Sequence, residues 1–285
     1  MKKIEVGSLF LQEHRNLFQC PVCKGAFEKL DGHSVVCANG HRFDVSKKGT
    51  LHLLMKGGQN EYDKDMLSSR KNLADTGFFH PLLDAVYAHI DDPGSATVLD
   101  VGCGEGSHLH YLTEKGLRGT KIGFDISKDA IQLAAGNFFA DAFWCVADLA
   151  HSPFGENAFD AILNIFSPSH YLEFDRVLKP GGKVIKVVPN AQYLIELREQ
   201  LYALDTTKRE YDNHQVVDRF CDIYPEAIKE ELNYTVELDA KSYGWLMEMT
   251  PLSWGASEAA LANAKANPLK SVTVAVTILV ASKEN

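Results

Sequence analysis

Two constellations in this 285-residue chain pair chemically capable residue types with spacing that can bring them together. In the first, Cys20-Pro-Val-Cys23 is followed, after thirteen residues, by Cys37-Ala-Asn-Gly-His41. Each pair sits on a tight turn, and Pro21, Gly25 and Gly40 supply the turn chemistry. Cys20, Cys23, Cys37 and His41 would give a zinc ion three thiolates and one imidazole. That set leaves no open position, so the expected role is structural. A hairpin this small buries too little surface to fold alone, which is a physical reason for the metal. His33, between the pairs, reads as a solvated turn residue.

The second constellation is Val98-Leu-Asp-Val-Gly-Cys-Gly-Glu-Gly106. Val98, Leu99 and Val101 read as the end of a buried strand, and a helix-like run follows from Ser107 to Lys115. Gly102, Gly104 and Gly106 let the backbone approach a ligand at the strand's carboxyl edge. Asp125 closes the next strand-like run, 25 positions after Asp100, where an acid can accept from ribose hydroxyls. Asp148 follows a third run, Phe143 to Ala147. A fourth, Ala158–Phe166, leads into Asn164-Ile-Phe-Ser-Pro-Ser169, which would sit beside the same ligand. The spacing is G-x-G-x-G, against a dinucleotide site.

The elements that must carry these residues alternate. Helices are expected over Tyr62–Ala74, Leu82–Ile90 (entered by Pro81), Ser127–Ala135 (capped by Ser127), Tyr171–Leu178 and Gln192–Leu204. Lys179-Pro-Gly-Gly182 should turn tightly into an apolar strand, Lys183–Val188. Strand–helix alternation implies an α/β, mostly parallel sheet with helices on both faces. Ser242–Trp254 and the β-rich Ser271–Ala281 are expected to complete it; residues 205–240 are polar and give no clear element. The division expected is a small zinc-binding domain over 1–56, a linker and helices over 57–97, and a ligand-binding domain over 98–285. Gly57-Gly58 and the polar Gln-Asn-Glu mark the linker.

Composition sets further bounds. Apolar residues make up 45% and charged residues 24%, as in an ordinary globular protein. The net charge of −9 gives no general attraction to nucleic acid, but residues 1–56 hold nine Lys/Arg against five Asp/Glu. That segment carries +4 and the remainder −13. A basic module on an acidic body hints at a polyanionic partner. The amino-terminal stretch has no long apolar run, and Val272–Ala281 is too short to span a bilayer. Six cysteines without such a signal suggest metal binding or free thiols and a cytoplasmic protein. Cys103, Cys145 and Cys221 are expected as buried thiols, and Trp144, Trp245 and Trp254 as core. His80, His151, His170 and His214 belong to no motif.

Together the glycine loop, Asp125, Asp148 and the Lys-Pro-Gly-Gly turn resemble the class I S-adenosylmethionine-dependent methyltransferases, which have a Rossmann-like fold. Cys-Pro-x-Cys, Cys-x3-His-x-Phe-Asp, Lys48-Gly49, Asp63…Met66…Arg70, Phe124-Asp-Ile-Ser-Lys128 and Met249-Thr-Pro251 narrow the likeness. Over nearly its whole length the chain resembles the 23S rRNA guanine-N1-methyltransferases that act on hairpin 35. Some members of that family protect ribosomes against macrolide antibiotics. The resemblance implies S-adenosylmethionine and structural zinc as cofactors, 23S rRNA as partner, no membrane, and a homodimer. It makes Cys20, Cys23, Cys37 and His41 the zinc ligands. It assigns Asp100, Gly102, Gly104, Glu105, Gly106, Asp125 and Asp148 to the cofactor, Asp100 supporting the loop from beneath. Phe79 falls where some members have a cofactor-contacting tyrosine, and Tyr193 where some have histidine.

No general base stands out. Asn164, Phe166, Ser167 and Pro168 are the candidates beside the target base. Phe166 could stack on a base turned out of its helix, or simply belong to the core. Arg70 and Lys71 could meet phosphate or solvent alone. Two rivals stand beside this reading. A small-molecule methyltransferase would have little use for the zinc knuckle, and a non-catalytic zinc RNA-binding protein would not need an intact glycine loop. The knuckle is expected to fold independently, so that losing one ligand spares cofactor binding.

Overall fold

The computed structural model describes residues 1–55, 63–203, 205 and 211–284. The expected Gly57-Gly58 linker and the Gln-Asn-Glu after it lie outside the described residues, as do Tyr62 and Leu204 at the ends of two expected helices.

Helix α1 (Lys3–His14) leads into a three-stranded antiparallel sheet, β1 (Phe27–Asp31), β2 (Ser34–Cys37) and β3 (Arg42–Asp44). A two-residue strand, β4 (Leu51–His52), then leaves this module and joins the edge of a larger sheet. Helix α2 (Lys64–Ala74) is capped by Asp63, which accepts from Met66 N at 2.8 Å, and α3 (His80–Ala88) carries Pro81 in its first turn. The alternation follows: β5 (Val98–Val101), α4 (Ser107–Lys115), β6 (Lys121–Asp125), α5 (Lys128–Asn137), β7 (Phe143–Val146), β8 (Phe159–Ile165), α6 (Tyr171–Val177) and β9 (Leu178–Pro189). The remainder is α7 (Ile195–Leu201), α8 (His214–Ile223), β10 (Ile228–Glu237), α9 (Ala240–Met249), α10 (Glu258–Ala266) and β11 (Ser271–Ser282).

The large sheet has eight strands in the order β10-β11-β9-β8-β5-β6-β7-β4. All its pairings are parallel except those of β11 with β9 and β10. β5 pairs with β6 on one side and β8 on the other, so the chain reverses its direction of growth there. A crevice opens at such a switch point, beyond the strands' carboxyl ends.

Alternate residues of the strands feed two cores. Val98, Leu163, Ile165, Ile185 and Val187 pack on one face with α2–α5, α7 and α9. Leu99, Val101, Ile162, Val184 and Val188 pack on the other with α6, α8, α1 and the zinc-type module. Phe10 stacks on Phe143 (ring centroids 4.6 Å apart), and Phe18 meets both Phe143 and Phe154. Leu53 N donates to Val146 O at 2.8 Å. The first fifty residues therefore cover part of a face of the catalytic sheet.

Several expectations from pattern need correction. Ser242–Trp254 is not in the sheet: α9 and a following 3-10 turn occupy it, and α9 packs against α2. Its Asp239–Ser242 capping box fixes a helical start. Residues 205–240, polar and hard to read, hold α8 and β10. Only alternate residues of β10 are partly shielded, as in an edge strand with one wet face. The helix over Gln192–Leu204 shrinks to Ile195–Leu201, entered through Leu194 at φ +53°. Lys179–Gly182 does turn, with Gly181 at φ +75°, but the turn lies inside β9, whose register on β8 jumps from Phe159–Leu178 to Ala161–Lys183. Trp144 is core at 2% exposure, whereas Trp245 is half-buried and Trp254 is 51% exposed. Cys103 and Cys145 are buried; Cys221 is only half-buried.

Candidate cofactor site and metal centre

At the module's turns, Cys20, Cys23, Cys37 and His41 converge with all four ligand atoms within 4.8 Å of one another. Cys37 Sγ lies 3.3 Å from His41 Nδ1, Cys20 Sγ 3.6 Å from it, and Cys23 Sγ 3.7 Å from Cys37 Sγ. Zinc–sulfur bonds of about 2.3 Å in a tetrahedron put the ligands about 3.7 Å apart, so the four fit a closed structural zinc site. A backbone hydrogen bond from Gly25 is the largest influence holding the Cys23 thiol down at about 6, which favours the thiolate a metal needs. His33 stays outside the cluster, in the exposed β1–β2 turn, with its Nδ1 2.8 Å from Ser8 Oγ.

The crevice at the switch point is a cavity of about 710 Å3. Gly102, Gly104, Asp125, Ile126, Asp148, Phe166, Tyr193, Arg70 and Phe79 line it, drawn from seven separate stretches. Two glycines are sterically required. Gly102 has φ +70°, and a Cβ there would meet Ser167 Cβ at 2.7 Å. Gly106 has φ +91°, and its Cβ would fall 2.8 Å from the Trp144 ring and 2.9 Å from Ala134 Cβ. Asp125 secures the loop: Gly104 N donates to its Oδ2 at 3.0 Å and Ser127 N to its Oδ1 at 2.8 Å. Burial raises its carboxyl above the usual range despite those two bonds. Asp148 accepts from Ala150 N and contacts His151 Nδ1, each at 2.9 Å.

Beneath the loop lie three charges. Asp100 and Glu105 are each 1% exposed, and Asp100 Oδ2 has no hydrogen-bond partner. Arg70 Nε approaches Glu105 Oε2 at 3.1 Å as an ion contact, out of line for a hydrogen bond. Arg70 Nη2 lies 3.4 Å from His108 Nε2, and its guanidinium sits 5.6 Å from the Phe79 ring centre. Burial pushes His108 well below its ordinary value, so this ring is neutral and can accept from Arg70. Arg70 is tied into the site and not left to solvent alone, and Lys71 pairs with Asp75 at 2.6 Å. Phe79, Phe166 and Tyr193 form an aromatic chain, with centroids 6.4 and 5.5 Å apart. Phe166 is held at φ +54°, a strained setting for a bulky residue and one that clusters at functional sites.

Burial, reinforced by Asp125 and Glu105 and opposed by Arg70, pushes the Asp100 carboxyl up to about 7. A raised folded-state value means the native protein keeps a proton that the unfolded chain has lost. Stability from this group is therefore full below 3.8 and falls as pH rises to about 7. Asp100→Asn is expected to flatten that decline in the cofactor-free protein, read as urea midpoints at about pH 4.5 and about pH 7.5. An unaltered pH dependence would count against the assignment.

The site fits S-adenosylmethionine. Asp125 suits ribose hydroxyls, Asp148 adds a second carboxylate to the same cavity, the glycine loop lets a ligand meet backbone, and aromatic faces with buried carboxylates suit a sulfonium cation. Sequence reasoning named Asn164 and missed Lys186. Asn164, fully buried, spends both ends of its amide on its own loop: Nδ2 donates to Ser167 Oγ (2.6 Å) and Pro168 O (2.9 Å), while Oδ1 accepts from Ser169 Oγ and Lys186 Nζ. Lys186 is 3% exposed, also donates to Ser169 Oγ at 2.7 Å, and is pushed down to about 8 by burial. Its signal was present: Val184, Lys186 and Val188 share one face of an apolar strand, and a lysine there must find partners. Ser167 Oγ in turn donates to Val101 O at 2.6 Å, locking this loop over the glycine loop.

Comparison with known proteins agrees with this geometry. A family model described as a methyltransferase domain matches residues 93–246, and one described as RlmA, N-terminal, a zinc ribbon, matches residues 18–55. YxjB of Bacillus subtilis (strain 168), provisionally named a 23S rRNA (guanine-N(1)-)-methyltransferase, is 41% identical over 277 residues, 94% of this chain and 98% of that protein. The 23S rRNA (guanine(748)-N(1))-methyltransferase of Streptomyces fradiae is 30% identical, covering 92% of this chain and 95% of that one. A fatty-acid O-methyltransferase of Mycolicibacterium smegmatis matches at 32%, but over only 37% of this chain. With a class I methyltransferase sheet and a zinc ribbon both in place, the chain belongs to the family of 23S rRNA (guanine-N1-)-methyltransferases.

Proposed function

We propose that this protein transfers a methyl group to N1 of a guanine in hairpin 35 of 23S rRNA, working as a cytoplasmic homodimer. The observation that carries the reading is the coexistence of a complete cofactor cavity and a four-ligand zinc cluster in a chain that matches rRNA methyltransferases end to end. Partial coverage by the fatty-acid enzyme argues against the small-molecule rival. The intact glycine loop with Asp125 argues against the non-catalytic one. No helix among the described residues is long and apolar enough to cross a membrane.

S-adenosylmethionine supplies a methyl already activated on sulfonium, so the protein's work is to place the base and exclude water. Asp125 would hold the cofactor's ribose, Asp148 lines the same cavity, and Arg70 offers a cation toward the cofactor's carboxylate. Guanine N1 carries a proton at neutral pH, which must leave, or charge growing on O6 must be stabilised. Phe166 lines the cofactor cavity together with Ser167–Ser169, where its ring can stack on an extruded base. Asn164 and Lys186 position that loop and have few bonds left for substrate. Ser167 and Pro168 present the loop's backbone at the cavity wall.

The expected product is 1-methylguanosine in large-subunit RNA. Mass spectrometry of nucleosides from 23S rRNA of cells with and without the protein reads this directly. A methyl group on ribose, on another base or at another guanine position would overturn it.

A further inference from the structure

At the opposite edge of the sheet is a second hollow, of about 400 Å3, which the cofactor reaction does not use. β6 joins the two: Lys121 opens into this hollow and Asp125 into the cofactor cavity, about 13 Å apart along the strand at about 3.3 Å per residue. Lys3 and Lys48 come to it from the zinc-bearing segment, Arg118 from the loop before β6 and Lys121 from the first residue of that strand. Asp141 is the one acid among the lining residues, and it is held by His110 Nδ1 at 2.8 Å.

None of these four cations makes an ion pair among the described residues, and Asp141 acts on Lys121 only from a distance. Lys121, 7% exposed, donates to the carbonyls of Leu117 and Gly119, and Lys3 to those of Ala135 and Gly136. Lys48 and Arg118 are exposed, and neither side chain has an ion pair or hydrogen bond among the described residues. Burial and the adjacent Arg118 both push the Lys121 ammonium down, against Asp141. Four cations around one hollow, in a protein of net charge −9, repel one another until an anion enters. The aromatic rings of the hollow are committed: Phe10 stacks on Phe143, and Lys3 lies over Phe139 at 4.5 Å. That leaves charge to be bound and no free face for a base.

We infer that this hollow grips the sugar–phosphate backbone of the RNA substrate away from the target guanine, with Lys48 and Arg118 as the contacting cations. The inference rests on the rRNA reading above. It joins the basic segment and the acidic body into one RNA-binding surface. Backbone contacts fix register and orientation and are sequence-independent.

The test uses the whole chain, a 23S rRNA transcript, and the variants Lys48→Gln, Arg118→Gln and the double. Both residues are exposed, so melting temperature and S-adenosylmethionine affinity should stay at wild-type values. The slope of log affinity against log salt should fall by about 0.7–0.9 for each single variant, and by about twice that for the double. Wild-type slopes in the double variant would overturn the hollow as an RNA grip, and so would a loss of RNA binding that leaves the slope unchanged. Failure of the wild-type protein to methylate the transcript or natural rRNA would instead overturn the rRNA reading, so the two failures are distinguishable.

Discussion

Cys37→Ala is expected to destabilise the whole chain, not the first fifty residues alone. Structural zinc contributes apparent folding free energies of about 10–16 kcal/mol in isolated zinc peptides, and losing one thiolate removes much of that. Native stability itself is only about 5–15 kcal/mol. From the sequence, a self-contained knuckle would unfold and leave the cofactor site intact. The shared core changes that expectation. Cys20 and Cys37 are buried among Phe18, Phe27 and Val45, in the cluster that also holds Val101, Phe124 and Cys145 from the catalytic sheet. β4 extends that sheet beside β7, which delivers Asp148 to the cofactor cavity. Calorimetry should show a melting temperature lower by more than about 10 °C, and chelation of the wild-type protein should mimic it. Weakened S-adenosylmethionine binding should accompany the change. A variant that melts normally, or that loses the module while binding cofactor at full affinity, would show that the two parts fold separately.

Asp125→Ala should produce the largest loss specific to the cofactor. A carboxylate accepting from ribose hydroxyls is worth about 1.5–3 kcal/mol, which is about 10- to 150-fold in affinity. Here the same carboxylate also receives Gly104 N and Ser127 N, so its removal loosens the glycine loop and the start of α5 together. Burial raises the Asp125 pKa, so acid should weaken binding at a higher pH than an ordinary carboxylate would predict. Protonation removes an acceptor, and affinity must therefore fall as pH falls. Titration calorimetry of wild type and variant across the acidic range measures both effects. Unchanged affinity in Asp125→Ala would remove the residue from the site.

Much of this could be read from the chain itself because the signals are local. Four metal ligands on two tight turns need only short-range geometry to meet, and a glycine loop between a buried strand and a helix specifies its own backbone. Short apolar runs and helical spacing located β5 to β9 and the helices between them. The pattern failed where tertiary structure overrides it. β10 is a polar edge strand, shaped by its pairing with β11, and carries no apolar run. Ser242–Trp254 folds as a helix against α2, since its apolar residues serve the core and not the sheet. Arg70 could not be placed from sequence, because Glu105 and His108 reach it only once α2 lies over α4. Asn164 and Lys186 are 22 residues apart and become partners through strand register alone. The sequence by itself determined the zinc ligands, the cofactor loop and the fold class, since each is set by neighbours along the chain. Only the tertiary structure decided that the zinc module and the catalytic sheet share one core, because long-range burial and strand pairing create that union.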